Sequence, residues 1–274
     1  MAATNQTSNL GLPQWVATDK PQRTDFNTAF DAIDDYASIL GRPTYMYGRE
    51  IPFTWAEIKT KCTNNDFSGI AVGDWKSIVV DGETHYMEVA GIDTYYGYTT
   101  GYRHCIDFVS RYCLNTTYRY NATNTNIGGW PASELYTTMN GTGGIYDKLP
   151  SDVKAVVGPK IMRLENKDGA ISSGANWITA DKLWLLSDLE VFGFQSWSQI
   201  GFGSGNFHQY PIFIGSEVHI IKRTAESSTR TNWWTLSPRS GVTTSFCNVS
   251  AYGYTLYDVA TAYARIPICF RVLG

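Results

Sequence analysis

Asn232-Trp233-Trp234-Thr235-Leu236-Ser237-Pro238 opens the C-terminal stretch of this 274-residue chain. A tyrosine-studded run from Phe246 to Arg265 follows, and Ile266 to Leu273 closes it as an apolar strand. Between Thr231 and Gly274 there is no Lys, Glu, Gln, His or Met. Tyr, Ser, Thr, Ala, Gly and Asn stand in their place. Tyrosine offers large contact area at low entropic cost, and small polar residues offer adaptable hydrogen bonds, which is the composition of evolved binding surfaces. Apolar blocks flank the run, so it reads as a tolerant surface on a rigid frame. Trp233 and Trp234 read as core pillars rather than ligand platforms.

Working outward, charged residues make up only 17% of the chain and aromatics 14%, against about 25% charged in ordinary globular domains. The expectation is a well-packed core under a polar, sparsely charged surface. A net charge of −3 provides no electrostatic footprint for nucleic acid. No apolar run approaches the ~20 residues of a membrane span, so no membrane insertion is expected. The N-terminus lacks a basic region followed by an apolar one, so no signal peptide is expected. Cys62, Cys105, Cys113, Cys247 and Cys269 read as free buried thiols, and with the four histidines they form no metal-spaced cluster.

Residues 1–23 read as an extended polar arm. Thr24 is the expected N-cap of a helix from Asp25 to about Leu40, which Gly41-Arg42-Pro43 ends. Phe26, Phe30, Ile33, Tyr36 and Ile39 form one apolar stripe. A single helix is marginal in water, so the stripe either packs on its own domain or assembles copies and partners. Residues 1–44 are therefore assigned to anchoring or oligomerisation. Downstream, Thr54-Trp-Ala-Glu57 and Ser187-Asp-Leu-Glu190 are capping boxes. Asp81-Gly82 between apolar runs predicts a two-residue hairpin. Ser133 starts one short helix. Ser151 caps another, with Val153, Val156 and Val157 on one face. Leu183-Trp-Leu-Leu186 reads as a buried strand. Short helices, antiparallel strands and much ordered loop predict an α+β domain over residues 45–274.

Several blocks together carry a family resemblance. They are Asn126-Ile-Gly-Gly-Trp130, Leu149-Pro-Ser-Asp-Val-Lys-Ala-Val156, Asp181-Lys-Leu-Trp-Leu-Leu-Ser187 with Glu190-Val-Phe-Gly193, Gln209-Tyr-Pro211, Trp233-Trp-Thr-Leu-Ser-Pro238 and Arg265-Ile-Pro-Ile-Cys-Phe-Arg-Val272. In this order they resemble a domain of phage tail and gut-bacterial proteins. That domain is similar to the formylglycine-generating-enzyme branch of the C-type lectin fold. The opening, Asn9-Leu-Gly-Leu-Pro-Gln-Trp15 with Thr24-Asp-Phe-Asn27 and Phe30-Asp-Ala-Ile-Asp34, resembles tail proteins of phages that infect Gram-positive bacteria.

The resemblance implies a C-type-lectin-like fold behind an N-terminal arm and helix. It also implies a virion protein of the phage tail tip that recognises a host-surface protein or glycan, attaches to other tail proteins through residues 1–40, and forms a homotrimer. Relatives of this fold are targets of diversity-generating retroelements, in which adenines of a template are miscopied. Asn codons so mutated never yield Lys, Glu, Gln, Met or Trp. From Thr235 to Arg265 the chain contains none of these. A variable region at about 229–265 is expected, with Val242, Thr244, Ser245, Tyr252, Tyr254, Leu256, Tyr257, Asp258, Val259, Thr261, Tyr263 and Arg265 as contact positions. Asp258 either pairs with Arg265 or meets a polar or cationic ligand group. The alternatives are a structural tail protein, or an enzyme of formylglycine-generating or carbohydrate-active type. The close cysteine pair of the former is absent, so no enzyme is expected. No cofactor is called for, although a structural Ca²⁺ ion stays open.

Overall fold

The computed structural model describes residues 5–6, 12–40, 48–97, 102–164, 177–198 and 208–274. It divides into two compact units, Met1–Met46 and Tyr47–Gly274. Among the described residues the α-helices of five residues or more are, in chain order, α1 (Arg23–Leu40), α2 (Trp55–Asn64), α3 (Glu134–Asn140) and α4 (Asp188–Phe192). The longer strands are β1 (Trp75–Val80), β2 (Glu83–Ile92), β3 (Cys105–Cys113), β4 (Lys160–Leu164) and β5 (Trp177–Asp181). They continue with β6 (Trp233–Pro238), β7 (Ser245–Val249), β8 (Thr255–Val259) and β9 (Pro267–Leu273). Among the described residues the paired strands named here run antiparallel, and the chain is α+β.

In the first unit, Asn5–Gln6 pairs with Pro13–Gln14, so the described part of the arm is partly folded back. The helix begins at Arg23, which makes Thr24 a helical residue and not the cap. Asp25 instead accepts from the Gln22 backbone N–H at 3.2 Å, half of a capping-box arrangement. Trp15 lies 5.2 Å from Phe26. Phe26, Phe30 and Ile33 are all exposed. The side chains of Tyr36 and Ile39, and the Gly41-Arg42-Pro43 stop, lie outside the described residues.

The second unit is built on a sheet ordered β1-β2-β3-β9, with Val157–Gly158 on its far edge. The β1–β2 turn places Asp81 at φ 55° and Gly82 at φ 84°, the left-handed pair that a twisted two-residue hairpin needs. Trp55, Ile58 and Cys62 at spacings of three and four give α2 its buried face. Trp55 meets Phe108 of β3 and Phe270 of β9 edge-on, at 5.2 and 5.6 Å. The helix proposed after Ser151 is one turn only, Ser151–Lys154. Pro150 occupies its cap position, and Val157 leaves it to pair with Val272.

A second sheet, β6-β7-β8, carries the C-terminal run. Leu183–Leu186 is buried as expected but belongs to neither sheet as a strand. It bridges them: the Trp184 N–H donates to the Cys269 carbonyl at 3.3 Å, and Leu186 accepts from the Leu236 N–H at 2.8 Å.

A buried polar network ties these parts together. Arg271 of β9 forks onto Asp107 of β3, with Nε and Nη2 at 2.6 and 2.8 Å from its two oxygens. Asp107 also accepts from the Tyr210 hydroxyl at 2.8 Å, and that hydroxyl accepts from Lys160 Nζ at 3.1 Å. Lys160 pairs with Glu190 of α4, which accepts from Tyr95 at 2.8 Å and from the Ser187 N–H at 2.8 Å. Burial, then the Glu190 carboxylate for Tyr95 and the Asp107 carboxylate for Tyr210, pushes both hydroxyls far up, which keeps them as donors. Removing one partner strands a buried charge, so Arg271→Met or Lys160→Met should destabilise the unit by about 3–5 kcal/mol in urea unfolding. A loss below about 1 kcal/mol, the range of exposed pairs, would show that the network contributes little.

Candidate functional site

The frame under the tyrosine run is dry. Trp233 and Trp234 are fully buried, and each indole N–H is satisfied, by the carbonyls of Ile220 at 3.0 Å and Tyr118 at 2.8 Å. Tyr120 stacks on Phe246 at 3.5 Å, and its hydroxyl donates to the Thr235 carbonyl at 3.1 Å. Every residue of β6 and β7 is buried, so exposure is confined to β8, the turns and the return segment.

Those turns are held by side chains from the frame. The Asn126 amide donates to the carbonyls of Val242 and Ser245, both at 2.7 Å, which closes the β6–β7 turn. At the other end, Ser250 Oγ accepts from the N–H groups of Tyr252 and Tyr254 at 3.2 and 3.0 Å. Asn232 Oδ1 accepts from the Ala251 N–H at 2.8 Å. Gly253 sits between the tyrosines at φ 83°, where a Cβ would also come within 3.0 Å of Ile221. The β7–β8 turn is therefore fixed, and it presents Tyr252 and Tyr254 at 69% and 70% exposure.

The expected contact positions do not form one patch. Tyr252 and Tyr254 mark one end of the β7–β8 hairpin. Val242 and Thr244, both half-buried, mark the opposite end, beside Val259, which pairs with Ser245. A five-residue strand separates the two ends by roughly 15 Å. Ser245 is 3% exposed and belongs to the frame, which corrects its reading as a contact residue. Leu256, Val259 and Tyr263 are exposed, Tyr263 at 64% on a two-residue pairing with Arg119. Tyr257, Asp258, Thr261 and Arg265 are half-buried. The Asp258–Arg265 pair is not made. Asp258 accepts from the Val259 N–H at 2.8 Å, and Arg265 Nη1 donates to the Leu114 carbonyl at 3.2 Å.

The structure adds two residues to the site. Arg239 lies over the Tyr257 ring at 3.5 Å, and Trp197 meets the same ring edge-on at 4.8 Å. Trp197 is 40% exposed, and its indole N–H donates to the Thr255 carbonyl on the outer edge of β8 at 3.3 Å. Trp, Tyr and Arg are the residue types that dominate interface energetics. Nothing local in the sequence joins them, since the contacts span a long separation. The available signal was an aromatic residue set in the short polar stretch Gln195-Ser-Trp-Ser198.

Asp188 positions this cluster from behind. It accepts from Ser198 Oγ at 2.6 Å and Ser237 Oγ at 2.9 Å, and so ties the residue after Trp197 to β6. Burial raises its carboxyl above the ordinary aspartate range, against the lowering effect of the two serine hydroxyls. A raised acid binds its proton more tightly folded than unfolded, so its contribution to stability falls as pH rises through that interval. The Asp188→Asn variant should therefore gain stability relative to the native chain as pH rises above the ordinary aspartate value of about 4. A pH-independent difference in unfolding free energy would refute this.

All five cysteines are free and buried. Burial pushes the Cys62 and Cys113 thiols up to about 12 and the other three upward as well. Cys247 lies in β7 and Cys269 in β9, on different sheets. Among the described residues no group of three or more His, Cys, Asp or Glu is placed to hold a metal ion. No described helix is long and apolar enough to cross a membrane.

No curated protein and no solved structure matches the chain. The model of one family, a domain of unknown function designated DUF6273, matches residues 107–272, more than half of the chain. The match runs from the carboxylate partner of Arg271 to the residue after Arg271 and takes in the whole β6-β7-β8 sheet. On that extent the chain is a member of the DUF6273 family.

Proposed function

We propose that this chain is a phage tail-tip receptor-binding protein whose second unit is a C-type-lectin-like domain. The observation that carries the reading is the contrast at the β7–β8 hairpin. Two tyrosines are largely exposed on a turn whose backbone is held by Ser250, Asn232 and Gly253. Large aromatic side chains gain nothing from such exposure within the monomer. A rigid display of tyrosines lowers the ordering penalty of binding a partner. The ligand is a host-surface protein or glycan.

The same arrangement supports a variable region. All the expected contact positions except Ser245 lie outside the buried strands β6 and β7, and substitution at them would leave core packing alone. Exposed Phe26, Phe30 and Ile33 on α1 support an oligomerising role for the first unit. A homotrimer attached to the tail would multiply weak single-site contacts through avidity. Buried, high-pKa thiols on separate sheets support a non-enzymatic reading over a redox cysteine pair.

Tyr252→Ala combined with Tyr254→Ala should abolish binding of the purified chain to host cells. Both side chains are exposed, so stability should change by no more than about 0.5 kcal/mol. Unchanged adsorption by a folded double variant would reject the site.

A further inference from the structure

A cleft of about 440 Å³ opens beside the tyrosine turn, lined by Glu217, Val218, Ile221, Arg223, Ser228 and Arg230. Gly253 packs against Ile221, so the Tyr252-Gly253-Tyr254 turn lies against one residue of the cleft wall. Arg223 and Arg230 are partners in an isolated antiparallel bridge. Bridge partners lie about 4.5–5.5 Å apart at Cα and project to the same side. The two arginine side chains thus leave the bridge on the same side, and both residues are exposed. Among the described residues neither has an ion-pair partner, and Glu217, on the same cleft, pairs with neither.

Like charges opposed across a strand pair are destabilising. The chain carries few charges, yet it places two arginines together here, and among the described residues Glu217 of the same cleft ion-pairs with neither. An oxyanion relieves that repulsion, because guanidinium groups present forked donors that match carboxylate and phosphate geometry. Val218 and Ile221 supply an apolar wall, and the Ser228 hydroxyl a further donor. We propose that this cleft binds an anionic group, a carboxylate or a phosphate, on the ligand that the adjacent tyrosines contact. The assignment rests on the recognition reading only for the identity of that larger ligand.

The test is an NMR titration of the full chain, labelled with ¹⁵N-arginine, using inorganic phosphate in one arm and sodium glucuronate in the other. Saturable shifts of the Arg223 and Arg230 Nε–H signals are expected. Tighter saturation by phosphate assigns a phosphate-bearing polymer, and tighter saturation by glucuronate an acidic sugar. Arg223→Gln with Arg230→Gln should weaken the better probe by about tenfold or more, the loss expected for one charge-assisted pair. Glu217→Gln, which removes the competing carboxylate, should tighten it. No saturation by either probe, or equal affinity in the folded double arginine variant, overturns the proposal. The two readings fail separately. Saturation by a probe combined with unchanged host adsorption of the Tyr252/Tyr254 variant rejects the receptor reading and leaves the anion site standing.

Discussion

Arg271 and Asp107 form the interaction on which the second unit depends. Both are buried, both sit in the middle of paired central strands, and their charges are compensated by each other and by Tyr210. A buried charge cannot be left unpaired without a penalty of several kcal/mol, so the positions of β3, β9 and the Tyr210 segment are coupled. Lys160 and Glu190 extend the coupling to β4 and α4, and Tyr95 extends it to the loop after β2. The network acts less as a source of net stability than as a specification. The arrangement in the structure pairs every charge of the network. The family match begins at Asp107 and ends just after Arg271, so the pair spans the region that members of DUF6273 share.

From that specified core the Leu183–Leu186 segment reaches across to β6, and the second sheet inherits its position. The inheritance explains how a surface can be both exposed and fixed. Trp233, Trp234, Tyr120 and Phe246 fill the underside, and buried Asn126 and Ser250 with half-buried Asn232 hold the turns. The exposed tyrosines lose little freedom when they meet a partner, because the backbone that carries them is already ordered. The hairpin has two ends, however, and the structure makes them unlike. One is a tyrosine turn next to two arginines that make no ion pair among the described residues. The other is a small polar turn near Val259. Between them Arg239 and Trp197 enclose Tyr257.

Much of the local structure was legible in the sequence because it depends on neighbours along the chain. The capping boxes at Thr54 and Ser187, the Asp81-Gly82 turn and the apolar spacing of α2 are all satisfied within a few residues. Misreadings arose where a distant partner overruled a local pattern. Val157 reads as the third residue of a helical face, but Val272 claims it for a sheet edge. Leu183–Leu186 reads as a strand, but its hydrogen bonds are divided between two sheets. Ser245 reads as a surface residue by composition, but Val259 pairs with it and the Asn126 amide seals it in.

The sequence by itself determined an α+β chain with a helix-bearing N-terminal segment, a tryptophan-framed C-terminal run and a residue composition suited to display. These follow from periodicity, capping chemistry and composition, which need no long-range information. The tertiary structure alone decided which tyrosines face solvent, that Asp258 and Arg265 do not pair, that Trp197 and Arg239 join Tyr257, and that Arg223 and Arg230 stand together. Trp197 and Tyr257 lie far apart in the chain and are brought within a few ångströms, and the nearer pair Arg223 and Arg230 meets only because the chain folds back between them. That proximity is set by buried charge pairing and core packing, and neither leaves a local signature.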